Sequence, residues 1–316
     1  MSSTPSSFTS FSDVVVDLVT VDSDVFVIDC DLSRSSGTTD CRSIERDRFL
    51  NVGVSEQNAV GIACGMARIG FKPLVHSFAA FVTMRAFEFI RTGVAYQRLD
   101  VKICATKGGI ENAQSGPTHH GIEDLALMRL VPYMHVVAPK DFNDLHTLLG
   151  NSLSVAGPFY FRVPRKGVAN TPIGQELQIG ELALIEFGSD LLLLFTGSLY
   201  EKVLQVLQQL KVRGIRPTVA YCHTLKPFDS RQLSALLKNH RIVAVFEEHL
   251  ASCGLTSIVR EHACPGVHGV ESFGLDEGFI YESCDYDALF QKHCFDVDRV
   301  VDRLLRQLNS NITKPE

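Results

Sequence analysis

The strongest constraint on this chain is a repeating alternation of brief apolar runs with longer amphipathic stretches, interrupted once and then resumed. The run 25–30, Val-Phe-Val-Ile-Asp-Cys, is short, β-branched and flanked by Asp, which marks a buried strand. Ser55 reads as an N-cap that opens a helix over 56–69, with Ala59, Val60, Ala63 and Ala67 on one face. Strands follow at 72–78, 101–105, 134–138 and 158–163, with helices at 83–99, 123–130 and 142–153 between them. A polar, glycine-bearing segment at 106–121 is too long for a simple turn, and long loops in compact domains commonly carry function. The stretch 166–180 holds Gly167, Pro172, Gly174 and Gly180 with little apolar periodicity and reads as a linker. Beyond it strands are expected at 191–195, 217–222 and 242–246, and helices at 200–213, 230–239, 254–262 and 297–308. Such alternation predicts two doubly wound α/β domains with mainly parallel sheets, 8–165 and 181–316.

The length of 316 residues suits two domains of that size. With 30 basic and 36 acidic residues the net charge is −6, and no Lys/Arg stripe appears, so nucleic acid is not an expected partner. The nine cysteines form no C-x-x-C pair, and several sit in apolar runs; this suits a reduced thiol population better than disulfides or a zinc site. No apolar run is long enough to span a membrane, and the first ten residues lack the basic and apolar regions of a signal peptide. A cytoplasmic protein is expected.

Three strings carry potential chemistry. In 49–67, Glu56 opens a helix nearly devoid of polar side chains, and Gly61 and Gly65 leave a smooth face open to close approach. The helix dipole favours the Glu56 anion and burial favours the neutral acid, while a plain capping role is the simpler alternative. Phe78 and Phe81 stand three apart at a strand-to-helix junction, as core rings or as a ligand-facing pair. Gly116-Pro-Thr-His119-His120 is a turn that presents adjacent imidazoles, either on a surface turn or in a substrate-contacting loop; neighbouring His residues cannot easily share one metal.

In this order and spacing the strings resemble the pyrimidine-binding domain of the transketolase family of thiamine-diphosphate enzymes. Asn51-Val-Gly-Val-Ser-Glu56-Gln-Asn is similar to the family's G-[IV]-x-E-Q-N stretch, Ser77-Phe-Ala-Ala-Phe81 to its S/T-F-x-x-F element, and Gly116-Pro-Thr-His119 to its G-P-T-H motif. Thr224-Leu-Lys-Pro-Phe-Asp229 and Val245-Phe-Glu-Glu-His249 resemble strings of the family's C-terminal domain. The resemblance implies that Glu56 hydrogen-bonds the aminopyrimidine ring of thiamine diphosphate and that Phe81 stacks on it with Phe78 alongside. It implies that His119 faces the first carbons of a ketose donor. Arg162 falls where relatives keep a phosphate-contacting arginine. Lys107 and Ser115 stand where sugar-phosphate transketolases carry a histidine and an aspartate in the substrate channel.

The family's diphosphate-binding domain, with its Gly-Asp-Gly string and the Asn that hold Mg²⁺, has no counterpart in this sequence. The resemblance therefore implies the C-terminal subunit of a split transketolase, acting within a heterotetramer on sugar phosphates or related small molecules. An N-terminal partner would supply the magnesium and diphosphate site. Rival readings are a deoxyxylulose-phosphate-synthase-like enzyme, the β subunit of a 2-oxo acid dehydrogenase, or a non-catalytic scaffold. Glu247, Glu248 and His249 read as solvated residues at a strand end or as contacts between subunits, and the C-terminal domain as a packing unit.

Overall fold

The computed structural model describes residues 8–36, 46–263 and 269–312, so Cys41 and Cys264 and the first seven residues lie outside it. Its first sheet has seven strands: β1 (Val25–Asp29), β2 (Phe49–Asn51), β3 (Lys72–Phe78), β4 (Lys102–Thr106), β5 (His135–Val137), β6 (Phe159–Arg162) and β10 (Thr224–Lys226), in the order β10-β5-β6-β4-β3-β1-β2. The second has five: β7 (Ala183–Glu186), β8 (Leu192–Phe195), β9 (Thr218–Tyr221), β11 (Ile242–Leu250) and β12 (Gly269–Leu275), in the order β12-β11-β8-β9-β7. All pairings are parallel except β10 with β5 and β7 with β9, each at a sheet edge.

The central strands are covered on both faces, which is why they read as unbroken apolar runs. Alternate residues enter two separate apolar clusters. Val27, Leu74, Phe161, Leu193 and Phe246 belong to one, and Ile28, Val75, Tyr160, Leu192 and Val245 to the other. Each cluster takes residues from both sheets, so the two halves of the chain share their core. Helix α1 (Phe11–Val21), absent from the sequence expectation, packs on the first face through Val14, Val15 and Leu18 behind a Ser10–Asp13 capping box. On the opposite face lie α2 (Glu56–Arg68), α3 (Ala79–Arg85) and α4 (Asp124–Leu130). Beyond a single α-helical turn at Ser33–Ser36, further helices are α5 (Phe142–Ser152), α6 (Tyr200–Val212), α7 (Ser230–Asn239), α8 (Leu255–His262), α9 (Tyr286–His293) and α10 (Val297–Ile312).

Three departures from the sequence expectation have physical causes. Helix α3 begins four residues before the expected start at 83, because Phe78 leaves β3 in extended conformation and Ala79 turns directly into the helix; a π-helical segment, Phe89–Ala95, continues its path. β10 comes from beyond the linker yet joins the first sheet, with Thr224 opposite Val137. β11 runs to Leu250 rather than stopping near 246, because its polar end is buried by partners from the first half. The segment 166–180 has no regular secondary structure but is lashed down: Asn170 donates to the Phe8 carbonyl, and Leu177 is buried.

Candidate active site

The carboxyl ends of parallel strands converge on one edge of the first sheet, and crevices there are the usual ligand sites of such sheets. Ser77 and Phe78 end β3, Thr106 ends β4, and α2 begins beside them at Glu56. Ser55 occupies the N-cap position, but its hydroxyl donates to the Val52 carbonyl at 2.9 Å and does not cap the helix. Glu56 points inward and is only 1% exposed. Its Oε1 accepts from Ser77 Oγ at 2.9 Å and its Oε2 from Arg85 Nη1 at 2.6 Å. Both carboxylate oxygens therefore have a donor at the start of α2.

Phe81 and Arg85 stand four apart on α3 and therefore share a face. The Arg85 guanidinium lies over the Phe81 ring, 4.9 Å from its centroid, while it pairs with Glu56. Phe78 packs at 5.7 Å from Phe81 on one side, and His119 meets Phe81 edge-on at 5.1 Å. The structure thus brings together Glu56, Phe78, Phe81 and His119, residues up to 63 positions apart in the chain. His119 Nδ1 shares a 2.9 Å hydrogen bond with Thr118 Oγ1, which leaves Nε2 for a ligand. Beneath the cluster, His76 bridges Asp29 Oδ2 at 2.7 Å and Thr106 Oγ1 at 3.2 Å, tying the ends of β1, β3 and β4. Burial, reinforced by the Glu56 and Asp29 charges, pushes the nearby Cys30 thiol up to about 12, which makes it inert as a nucleophile.

His119 sits on a loop whose neck is closed by reciprocal 2.8 Å bonds between Gly109 and Gly121. Lys107, at positive φ just before the neck, pairs with Glu111 at 3.1 Å. Both line a crevice of about 100 Å³ with Arg34, Thr106, Val163 and Lys166. Ser115 is exposed at the loop tip, with its hydroxyl donating to Asn112 Oδ1 at 3.2 Å. Neither side chain joins the Glu56 cluster. Arg162 is committed inside the chain: Nε and Nη2 grip the Asp124 carboxylate, Nη1 donates to the Glu248 carbonyl at 2.9 Å, and Nη2 also reaches the Gly121 carbonyl at 3.4 Å. A substrate contact there would have to displace one of these bonds.

The expectation that Glu247, Glu248 and His249 are solvated or face another subunit is corrected by the structure: all three are buried in contacts within this chain. Glu247 caps α8, accepting from the Leu255 and Thr256 amides at 2.6 and 2.8 Å. Glu248 reaches the loop neck at Ile110, and His249 Nε2 accepts from the Ala126 amide at 3.3 Å. Burial, and next the Arg162 charge, lowers the His249 pKa to about 4.

The sequence reading did not single out Arg85 or Ser77 as partners of Glu56. Its available signal for Arg85 was the four-residue spacing from Phe81. His120, read from the sequence only as the second imidazole of the 116–120 turn, is buried with neither ring nitrogen hydrogen-bonded and lines a groove of about 440 Å³ with Met84, Glu123, Phe279 and Tyr281. Among the described residues no group of His, Cys, Asp and Glu is arranged to hold a metal ion, and no helix is long and apolar enough to cross a membrane.

Residues 3–170 match the family model of the transketolase pyrimidine binding domain, and residues 180–300 that of the transketolase C-terminal domain. A Methanocaldococcus jannaschii protein named as a transketolase C-terminal section is 33% identical over 79% of this chain and 79% of its own length. A 1-deoxy-D-xylulose-5-phosphate synthase of Dictyoglomus thermophilum is 34% identical over 68% of this chain, and that of Oleidesulfovibrio alaskensis 31% over 88%. The aligned regions span only 35% and 44% of those two synthases. A solved split-gene transketolase, in an inactive β4 tetramer, superposes with a TM-score of 0.82 at 31% identity, covering 94% of this chain and 96% of that one.

Proposed function

Because the chain belongs to the transketolase family of thiamine-diphosphate enzymes, we propose that it is the C-terminal subunit of a split transketolase-like enzyme. The enzyme moves a two-carbon ketol unit from a ketose phosphate donor to an aldehyde acceptor. In this reading 8–165 is the pyrimidine-binding unit, 166–180 the linker and 181–316 the C-terminal domain. Magnesium and the diphosphate are held by a separate N-terminal subunit, in a cytoplasmic heterotetramer within which this chain also self-associates.

The observation that carries the reading is the Glu56 carboxylate set against the Phe81 ring. The Arg85 guanidinium, a planar array of N–H donors, donates to Glu56 and covers Phe81. An aminopyrimidine is also planar and carries N–H donors, so the same acceptor and ring fit it once Arg85, 45% exposed, gives way. Thiamine diphosphate supplies a nucleophilic carbon and a sink for the electrons of the broken C–C bond. Glu56 holds and returns a proton at its carboxylate oxygens, with Ser77 fixing the orientation of Oε1. Phe78 and Phe81 wall the ring from water. His119 Nε2 hydrogen-bonds the donor oxygen where charge develops. The crevice beside Lys107, with Arg34 and Lys166, receives the substrate's anionic end.

The test is reconstitution. This chain alone should neither bind thiamine diphosphate tightly nor turn over, and addition of a diphosphate-binding partner should confer both. Tight binding or turnover by the chain alone would overturn the split-enzyme reading. A second reading, a deoxyxylulose-phosphate-synthase-like enzyme, is favoured by the synthases among the relatives. Offering pyruvate against a ketose phosphate separates the two, since only the pyruvate reaction releases carbon dioxide.

A further inference from the structure

We infer that Glu248, in the second half of the chain, is a positioning residue that sets the loop carrying His119. The inference rests on the proposed role of His119. Gly109 and Gly121 close residues 110–120 into a compact loop with little regular structure: its main-chain bonds include those of its two single turns, from the Ser115 amide to the Asn112 carbonyl and from the His119 amide to the Gly116 carbonyl, each at 3.0 Å. Its orientation must therefore come from outside.

Glu248 supplies the neck contact. Its Oε1 accepts from the Ile110 amide at 2.7 Å and its Oε2 from the Tyr286 hydroxyl at 2.6 Å, so both oxygens are occupied. The approach is so close that a Cβ on Gly109, itself at φ +63°, would stand 2.4 Å from Glu248 Oε1. Arg162 fixes the other side of the neck, bridging the Glu248 and Gly121 carbonyls, and a Cβ on Gly108 would stand 2.7 Å from it. The loop tip has a second tether from the same half, Ser283 Oγ donating to the Gln114 carbonyl at 2.8 Å. Burying a carboxyl group is costly, and an apolar residue could fill the space but could not accept from an amide and a phenol at once. Gln can keep both contacts, accepting from Ile110 through its oxygen and donating to Tyr286 through its nitrogen.

The experiment compares Glu248→Ala and Glu248→Gln in the full chain, assembled with its diphosphate-binding partner and thiamine diphosphate. Hydrogen exchange is read over 107–121, and kcat and KM are measured well below the melting temperature. For Glu248→Ala we expect exchange at the loop to quicken and kcat to fall ~10–100-fold with KM little changed, as for catalytic groups displaced by about an ångström. Glu248→Gln should recover kcat to within about threefold, if restoring the neck contacts restores the alignment. An unchanged kcat in Glu248→Ala, or quickened exchange without loss of rate, overturns the inference. If Glu248→Ala does not fold, Ser283→Ala, which removes only the tip tether, takes its place: faster exchange at 112–116 with a reduced kcat supports the inference, and no change in either overturns it. Glu56→Gln is run in parallel. Full turnover in that variant defeats the functional reading itself, whereas a dead Glu56→Gln beside a fully active Glu248→Ala defeats only the positioning role.

Discussion

Replacing Arg162 by Leu leaves the Asp124 carboxylate without its cation at a position with no solvent exposure. In the native chain Asp124 receives both arms of the guanidinium and the Tyr160 hydroxyl. Burial is the largest single influence on its carboxyl and raises it, but the Arg162 charge and hydrogen bonds, joined by His249 and the Tyr160 hydroxyl, together outweigh burial and hold the group below the usual carboxylate range. Breaking one side of such a buried pair costs roughly 3–5 kcal/mol. At roughly 2–4 °C per kcal/mol for chains somewhat shorter than this one, the melting temperature at pH 7 should fall by about 6–20 °C in calorimetry. The pH dependence supplies an independent check. A depressed folded-state pKa contributes stability that is present above the unfolded value and lost as pH falls through the folded value. In the variant the stranded carboxyl takes up a proton more readily than in the unfolded chain, so the deficit against wild type should shrink as pH is lowered from 7 toward 5. Arg162→Leu combined with Asp124→Leu should recover more than half of the loss, because neither charge is then left buried. A loss below about 1 kcal/mol, independent of pH, would refute the clamp. It would also reopen Arg162 as a group held ready for a substrate phosphate.

Glu56→Gln should leave the melting temperature within a few degrees of wild type and lower turnover in the reconstituted enzyme by ~10²-fold or more, the usual cost of losing a positioned acid–base group. His249 has its pKa lowered to about 4 by burial, well below the unfolded value of 6.5, so the folded state binds fewer protons and stability is lost as pH falls between them. His249→Gln should flatten that limb in urea titrations at pH 4.5 and 7. Gly254→Ala should melt well below wild type, since a Cβ there would stand 1.7 Å from the Glu247 oxygen that caps α8. Gly61→Ala meets nothing within 4 Å and should raise the melting temperature of this chain alone, adding roughly 0.5–1 kcal/mol by helix propensity. The same variant tests whether the smooth face of α2 is a docking face, since assembly with the partner should then weaken.

The alternation of apolar and amphipathic segments was legible because most central strands are buried on both faces and the helices on one. The edge strands were not. β10 is only Thr-Leu-Lys, and β12 buries Glu271, Phe273 and Leu275 on alternate positions with Ser272 and Gly274 between. The Glu56, Phe78, Phe81 and His119 cluster was readable from its motifs, since the strand-to-helix junctions that carry them are local features. What local sequence does not carry is the destination of a polar group whose partner is far away. Glu247 to His249 looked like an exit from the core because acidic and imidazole side chains usually mark one. Glu248 finds its amide at Ile110, 138 residues earlier, and Arg162 finds the Glu248 carbonyl 86 residues later.

The antiparallel seating of β10 on β5 has a practical corollary for anyone dissecting this polypeptide. A fragment truncated anywhere in 166–180 would keep β5 but lose the strand that satisfies its outer N–H and C=O groups. That naked border is an adhesive template for other copies. Stretches that look like autonomous modules along the gene are, in three dimensions, stitched by an exchanged thread, and expression trials of the isolated first half should yield inclusion bodies rather than a monodisperse domain.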